Sequence, residues 1–267
     1  MESLEVSKDI IKELGKRFGD LFYTGNFDAD LDFPISSLSI EDAYKVQDEA
    51  IAFRRSRGEE IIGYKVGCTS APIRNQFGLA EPISGRLMSP HVYTGTKRNL
   101  LWKDYVNCAI EPELVICIGR DLTEARLDDE FLIDSIEYLS PGIEVHNFKF
   151  WLGYPTVQEL IMSNGLFACL VVGPQRVKPN ALDFRSELFQ VFKDGYLVTE
   201  GTSSQIMGGP LASLKWLLTH LARRGETLQT GSIVIPGSPV ELVRIEGDTE
   251  LTIEISKVGA VSTWFVS

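Results

Sequence analysis

The sequence predicts an α+β protein, with a helical region over residues 1–60 packed on a β-rich core over 61–267 that forms one functional unit. Two observations carry this. Up to Arg57 the apolar residues recur every three or four positions, which is the period of a helix. From Ile61 onward they gather into short runs closed by Gly, Pro or Asp, the marks of strands and turns.

Ile10, Ile11, Leu14, Phe18 and Leu21 set an amphipathic helix from Ser7 to about Phe22, and a polar loop follows from Thr24 to Asp32. Ser39-Ile-Glu-Asp42 resembles a capping box and opens a second helix, which runs to about Arg57 and stops at Gly58. Arg54, Arg55 and Arg57 at its end read as a solvated C-terminus. Ile61 to Gly67 is a short strand interrupted by Lys65. That lysine is either an edge residue or a buried functional cation, and strand periodicity favours the edge. Gly, Pro and Ser punctuate 69–92, which predicts a long loop.

The central strand covers Leu114 to Ile118 and is closed by Gly119; a helix is expected over Leu127 to Leu139 and a strand over Gly142 to Val145. Thr156 to Met162 gives a short helix and Leu166 to Val172 a core strand. Asp194-Gly195 joins two further strands as a hairpin. Pro210 and Gly225 bracket a helix with one leucine face, and strands over 232–235, 251–255 and 261–266 end the chain.

The net charge of −11 argues against a nucleic-acid surface, and the longest apolar run is too short to span a bilayer. The four cysteines form no Cys-x-x-Cys pair and read as buried free thiols. With an acidic N-terminus that shows no secretory signal, they suit a reducing, cytoplasmic setting.

Glu111-Pro-Glu113 enters the central strand. A side-chain period of two puts Glu111 and Glu113 on one face, where the two carboxylates repel each other unless a cation or proton offsets them. Glu144 in Pro141-Gly-Ile-Glu-Val145 is a third candidate, and an all-oxygen set suits Mg²⁺ or Mn²⁺ better than zinc. Solvated strand edges and salt bridges are the competing reading of Glu-x-Glu. A lone His146 beside a strand is more often structural than a ligand.

Five segments carry a likeness in a fixed order: Gly63-Tyr-Lys-Val-Gly-Cys-Thr-Ser70, Glu111 through Leu122, Pro141 through Val145, Gly208 through Leu217, and Gly231 through Phe265. Together they resemble the 2-oxo-4-pentenoate hydratase and 4-oxalocrotonate decarboxylase family of the fumarylacetoacetate hydrolase superfamily. The resemblance implies a mixed, rolled, barrel-like sheet with an N-terminal helical region, assembled as a homo-oligomer. It also implies that Glu111, Glu113 and Glu144 ligate Mg²⁺ or Mn²⁺, and that Lys65 is the substrate-binding or proton-transferring cation.

The activity it implies is a metal-dependent lyase of a small anionic 2-hydroxy-dienoic or 2-oxo-enoic acid, with hydration ahead of decarboxylation. An acylpyruvate-type C–C hydrolase using His146 as base, and a non-catalytic homologue, are the alternatives. The surrounding shell departs from the family pattern at Ile83, Ser84, Leu160, Gly209 and Pro236. Ser163 is kept, either to position a carboxylate or water or to cap the turn before Asn164-Gly165.

Overall fold

The computed structural model describes residues 6–24, 34–95, 98–147 and 155–267. Apart from Thr24, the loop expected over 24–32 lies outside them.

Helix α1 (Lys8–Thr24) buries Ile11, Leu14, Phe18 and Leu21 against helix α2 (Ile40–Ser56). Ser39 caps α2 by accepting from the Asp42 amide, and Gly58 ends it with φ +94°, a left-handed conformation that glycine adopts without strain. Strand β1 (Glu60–Gly67) follows. The long loop expected over 69–92 is instead helix α3 (Ala71–Phe77) and strand β2 (Ile83–Ser89). The turn residues there are Ser70 and Gly78, which cap α3, while β2 pairs along the whole of β1.

Strands β3 (Val92–Thr94), β4 (Asn99–Leu101) and β5 (Ala109–Ile118) come next, then helix α4 (Asp129–Asp134) and strand β6 (Ile136–His146). The helix expected over 127–139 is thus confined to one capped turn and a half. Ile136 and Leu139 sit at helical spacing, yet cross-strand pairing with β5 claims them for β6. Helix α5 (Val157–Met162) starts at a Thr156–Glu159 capping box, and strand β7 (Phe167–Val172) follows. Strands β8 (Leu188–Lys193) and β9 (Tyr196–Thr202) form the expected hairpin, with φ 49° at Asp194 and 82° at Gly195. Helix α6 (Pro210–Arg223) and strands β10 (Ile233–Ile235), β11 (Val243–Arg244), β12 (Thr249–Ile255) and β13 (Gly259–Val266) complete the chain.

Among the described residues the strands make two mixed sheets. The larger runs β2-β1-β10-β5-β6-β7-β3 with β11 added on β5, and the smaller runs β4-β13-β12-β8-β9. Strands β2 and β3 stand at opposite ends of the larger sheet, yet only Pro90 and His91 separate them in sequence. Three peptide units reach about 10 Å at most, so the two edges must meet and the sheet rolls up. This is the mixed, rolled, barrel-like α+β fold expected.

Side-chain alternation divides the labour of the rolled sheet. Tyr64, Val66, Leu114, Ile116, Ile143 and Val145 face the main core shared with the smaller sheet and α6. The opposite face carries a smaller apolar cluster of Leu87, Val115, Phe167, Leu170, Val172 and Ile235. The helices α1, α2 and α5 close over this side through a third cluster that includes Ile83 of β2. Gln47 of α2 pins them by donating to the carbonyls of Ser84 (3.0 Å) and Ile161 (2.7 Å).

Candidate active site

The polar residues lie on the same face as the smaller apolar cluster. Register places Glu111 of β5 directly opposite Glu144 of β6, with Glu113 opposite Gly142. On the other flank Lys65 pairs with Ile235, and β10 lies between β1 and β5. Residues in register share a face, so the lysine and the three carboxylates converge over strands far apart in sequence.

Lys65 is the clearest correction to the strand reading. Strand β1 lies inside the sheet between β2 and β10, and Lys65 is 2% exposed. Its Nζ donates to Glu144 Oε1 and to the carbonyl of Gly165 (2.9 Å). Gly165 has φ +64°, and a Cβ there would press on Lys65 Cε at 3.1 Å, so a side chain would crowd the ammonium. The turn carrying that carbonyl is fixed by Asn164, which donates to the Arg86 carbonyl and accepts from its amide. Ser163 is buried, and its hydroxyl donates to the Leu160 carbonyl at 3.1 Å, which closes α5.

Glu113 is 1% exposed. Its Oε2 accepts from the Gly237 amide at 3.1 Å, while its Oε1 has no hydrogen-bond partner among the described residues. Gly237 has φ +114°, and a Cβ there would meet Thr69 Cγ2 at 2.5 Å, so the close approach of this amide needs glycine. Burial first, and then the carboxylates of Glu144 and Glu111, push the Glu113 carboxyl well above its ordinary value. Burial also opposes the charge of Glu144, but Lys65 and His146 outweigh it and hold that carboxyl down.

His146, read from sequence as structural or as the base of a hydrolase, belongs to the cluster. It follows Glu144 by two positions and so shares its face. Its Nε2 lies 3.0 Å from Glu111 Oε2 and 3.5 Å from Glu144 Oε2. Burial alone would lower its pKa; the neighbouring carboxylates raise it instead. Cys68 borders the cluster with its thiol pushed up to about 11 by burial and Glu111, so it stays protonated near neutrality.

The set can accept a cation. Three buried or half-buried carboxylates face one lysine, and an oxygen of Glu113 is left unpaired. Among the described residues, Glu111, Glu144 and His146 are the group whose ligand atoms all lie within 4.8 Å of one another. Glu113 stands beside that group without joining it.

The altered shell is occupied structurally. Ile83 and Leu160 pack with the helices, and Ser84 Oγ bonds His220 Nε2 at 2.9 Å. Gly209 caps α6, and the carbonyl of Pro236 accepts from Ser213 at 2.6 Å.

No family model matches the chain. It is 24% identical over 259 residues to the 2-hydroxyhexa-2,4-dienoate hydratase of Comamonas testosteroni, covering 97% of this chain and 98% of that protein. It is 26% identical over 223 residues to the 2-keto-4-pentenoate hydratase of Paraburkholderia phymatum, covering 84% and 85%. Among solved structures, 4-oxalocrotonate decarboxylase from Pseudomonas putida G7, complexed with magnesium and adipate, superposes with a TM-score of 0.91 at 22% identity, covering 98% and 99%. Fumarylpyruvate hydrolase from Pseudomonas aeruginosa, in complex with Mn²⁺ and pyruvate, reaches 0.60 at 18% identity over 76% and 88%. The likeness read from the five motifs therefore holds along the chain: in sequence it is related to the 2-keto-4-pentenoate hydratases, and in fold to 4-oxalocrotonate decarboxylase.

Proposed function

We propose that the protein is a divalent-metal-dependent lyase that hydrates a small 2-hydroxy-dienoic or 2-oxo-enoic acid. One observation carries the reading: Glu111, Glu113 and Glu144 converge with buried Lys65 on one face of the sheet, and one carboxylate oxygen is left unpaired there. Similarity to hydratases over most of the chain supports it. Glu111, Glu113 and Glu144 would hold Mg²⁺ or Mn²⁺. The ion supplies Lewis acidity toward the carboxylate and 2-oxo oxygens of such an acid.

The protein's own groups do the rest. Two of the three N–H groups of Lys65 are engaged, by Glu144 and Gly165, which leaves one for an incoming carboxylate or for proton delivery. The Gly237 amide fixes Glu113, and the apolar cluster of Leu87, Val115, Phe167 and Leu170 keeps bulk water from the face on which charge would build up. Ser163 would donate to a ligand carboxylate only by giving up its bond to Leu160, and could accept from a water without doing so.

The four cysteines are free thiols, which suits a cytoplasmic setting. Exposed Tyr196, Leu197 and Val198 on edge strand β9 offer an apolar surface for a homo-oligomer.

The fold match to a decarboxylase favours one second reading, loss of CO₂ from a 2-oxo-enedioic acid on the same site. The test is to follow ultraviolet loss of a 2-hydroxy-dienoate by metal-stripped protein reloaded with Mg²⁺ or Mn²⁺, with CO₂ measured in parallel. Metal-dependent loss without CO₂, abolished in Glu113→Ala, is the expected result. Stoichiometric CO₂ from an enedioate would replace the hydratase by the decarboxylase. No turnover of dienoates, enedioates or acylpyruvates with any metal would overturn the lyase.

A further inference from the structure

The cluster contains one donor for which an all-oxygen centre has no use. His146 is 5% exposed, and its Nε2 points at the gap between Glu111 and Glu144. We propose that His146 ligates the ion through Nε2. The centre would then be a mixed nitrogen–oxygen site that prefers Mn²⁺, Co²⁺ or Ni²⁺ to Mg²⁺. This rests on the reading that the cluster binds a divalent ion and changes which ion and which ligands.

Three observations support it. The first is spacing. Two ligand atoms bound at about 2.1 Å and at right angles on one ion stand about 3.0 Å apart. Nε2 lies 3.0 Å from Glu111 Oε2 and 3.5 Å from Glu144 Oε2, close to that spacing, and the ligand atoms of the three residues all lie within 4.8 Å of one another. By contrast, Glu113 lies outside the group of donors within 4.8 Å of one another.

The second is the strand period. His146 follows Glu144 by two positions on β6 and pairs with Ala109, two positions before Glu111. Alternation therefore sets His146 among the carboxylates rather than in the main core that receives Val145.

The third is the donor chemistry. The ring nitrogen that faces the two carboxylates is Nε2, and ligation there would leave the ring proton on Nδ1. Imidazole nitrogen favours the later first-row ions, whereas Mg²⁺ selects oxygen.

The experiment is pulsed electron paramagnetic resonance on the full-length protein loaded with Mn²⁺, prepared with ¹⁴N- and with ¹⁵N-histidine. The other two histidines are bound elsewhere, His91 to Glu59 and His220 to Ser84, so a histidine coupling reports His146. The expected result is a nitrogen coupling whose signature changes with the isotope and vanishes in His146→Gln. Calorimetry should show Mn²⁺ and Co²⁺ binding weakened by about tenfold or more in that variant, with a smaller change for Mg²⁺. Bound Mn²⁺ without nitrogen coupling in the wild type overturns this ligand assignment while leaving the carboxylate centre in place. No binding of Mn²⁺, Co²⁺ or Mg²⁺ overturns both readings. The isotope comparison needs no variant, so a misfolded substitution would not blur the outcome.

Discussion

Two buried carboxylate sites lie along β1, and they are built on opposite plans. At its start Glu59 is saturated. Its Oε2 accepts from Arg54 Nε (2.9 Å) and from Nη2 (2.6 Å), and its Oε1 accepts from the Tyr23 hydroxyl and faces His91. The Arg54 guanidinium also stacks on Phe22 at 3.7 Å. One negative charge meets one positive charge, and each carboxylate oxygen is matched. Further along, Lys65 bonds Glu144, one of three carboxylates, and Glu113 Oε1 has no partner among the described residues. The first arrangement ties α1, α2 and the start of β1 together and leaves neither carboxylate oxygen without a partner. The second is incomplete as protein alone, and that deficit is what the proposed metal ion would fill.

The contrast is sharpest when each cation is removed. Arg54→Met should cost about 3–5 kcal/mol in urea unfolding, because Glu59 is left buried and unpaired. Lys65→Met should destabilise the metal-free protein comparably. On the proposed reading, added Mn²⁺ should stabilise Lys65→Met more than the wild type, whereas Arg54→Met, whose metal site is intact, should gain only what the wild type gains. Equal response of the two variants to Mn²⁺ would erase the distinction between the two sites.

Acidity separates the sites next. Burial disfavours the Glu59 charge, but bonds from His91, Arg54 and Tyr23 outweigh it and bring the carboxyl down to about 2 from 4.5. A depressed carboxyl stabilises above its unfolded value, so its contribution is present above 4.5 and is lost as pH falls through about 2. Glu113 has the opposite sign. Its raised value means that the folded state keeps a proton which the unfolded state has released, so metal-free stability declines as pH rises above 4.5. In metal-free protein unfolded by urea across pH, Glu59→Gln should flatten the acid limb and Glu113→Gln the alkaline one. An unchanged alkaline limb in Glu113→Gln would show that this carboxyl is charged and compensated.

The smallest effect concerns a single hydroxyl. Tyr23→Phe removes one donor from Glu59 while Arg54 remains, and should cost about 1–2 kcal/mol in the same unfolding measurement. Metal affinity should not change, since the two sites share no bonded residue among those described.

The sequence by itself determined what is local. Caps and breakers set the ends of α2, α5 and α6, and the Asp194-Gly195 hairpin follows from two residues that accept positive φ. The period of a strand put Glu111 and Glu113 on one face, and the ordered motifs pointed to the rolled fold. Tertiary pairing decided the rest. Whether Lys65 lay at an edge depended on β10, a strand contributed from residue 233 onward. Arg54 read as solvated because its partner Glu59 and its cover Phe22 come from outside its helix. The run 136–139 fits a helix or a strand, and only ten positions of register with β5 select the strand. His146 is the same case at the site: its spacing from Glu144 is legible, but the facing Glu111 that brings it into the cluster is placed only once β5 and β6 are paired. Local signals fix the conformation of a few residues, whereas burial and charge compensation depend on groups far along the chain.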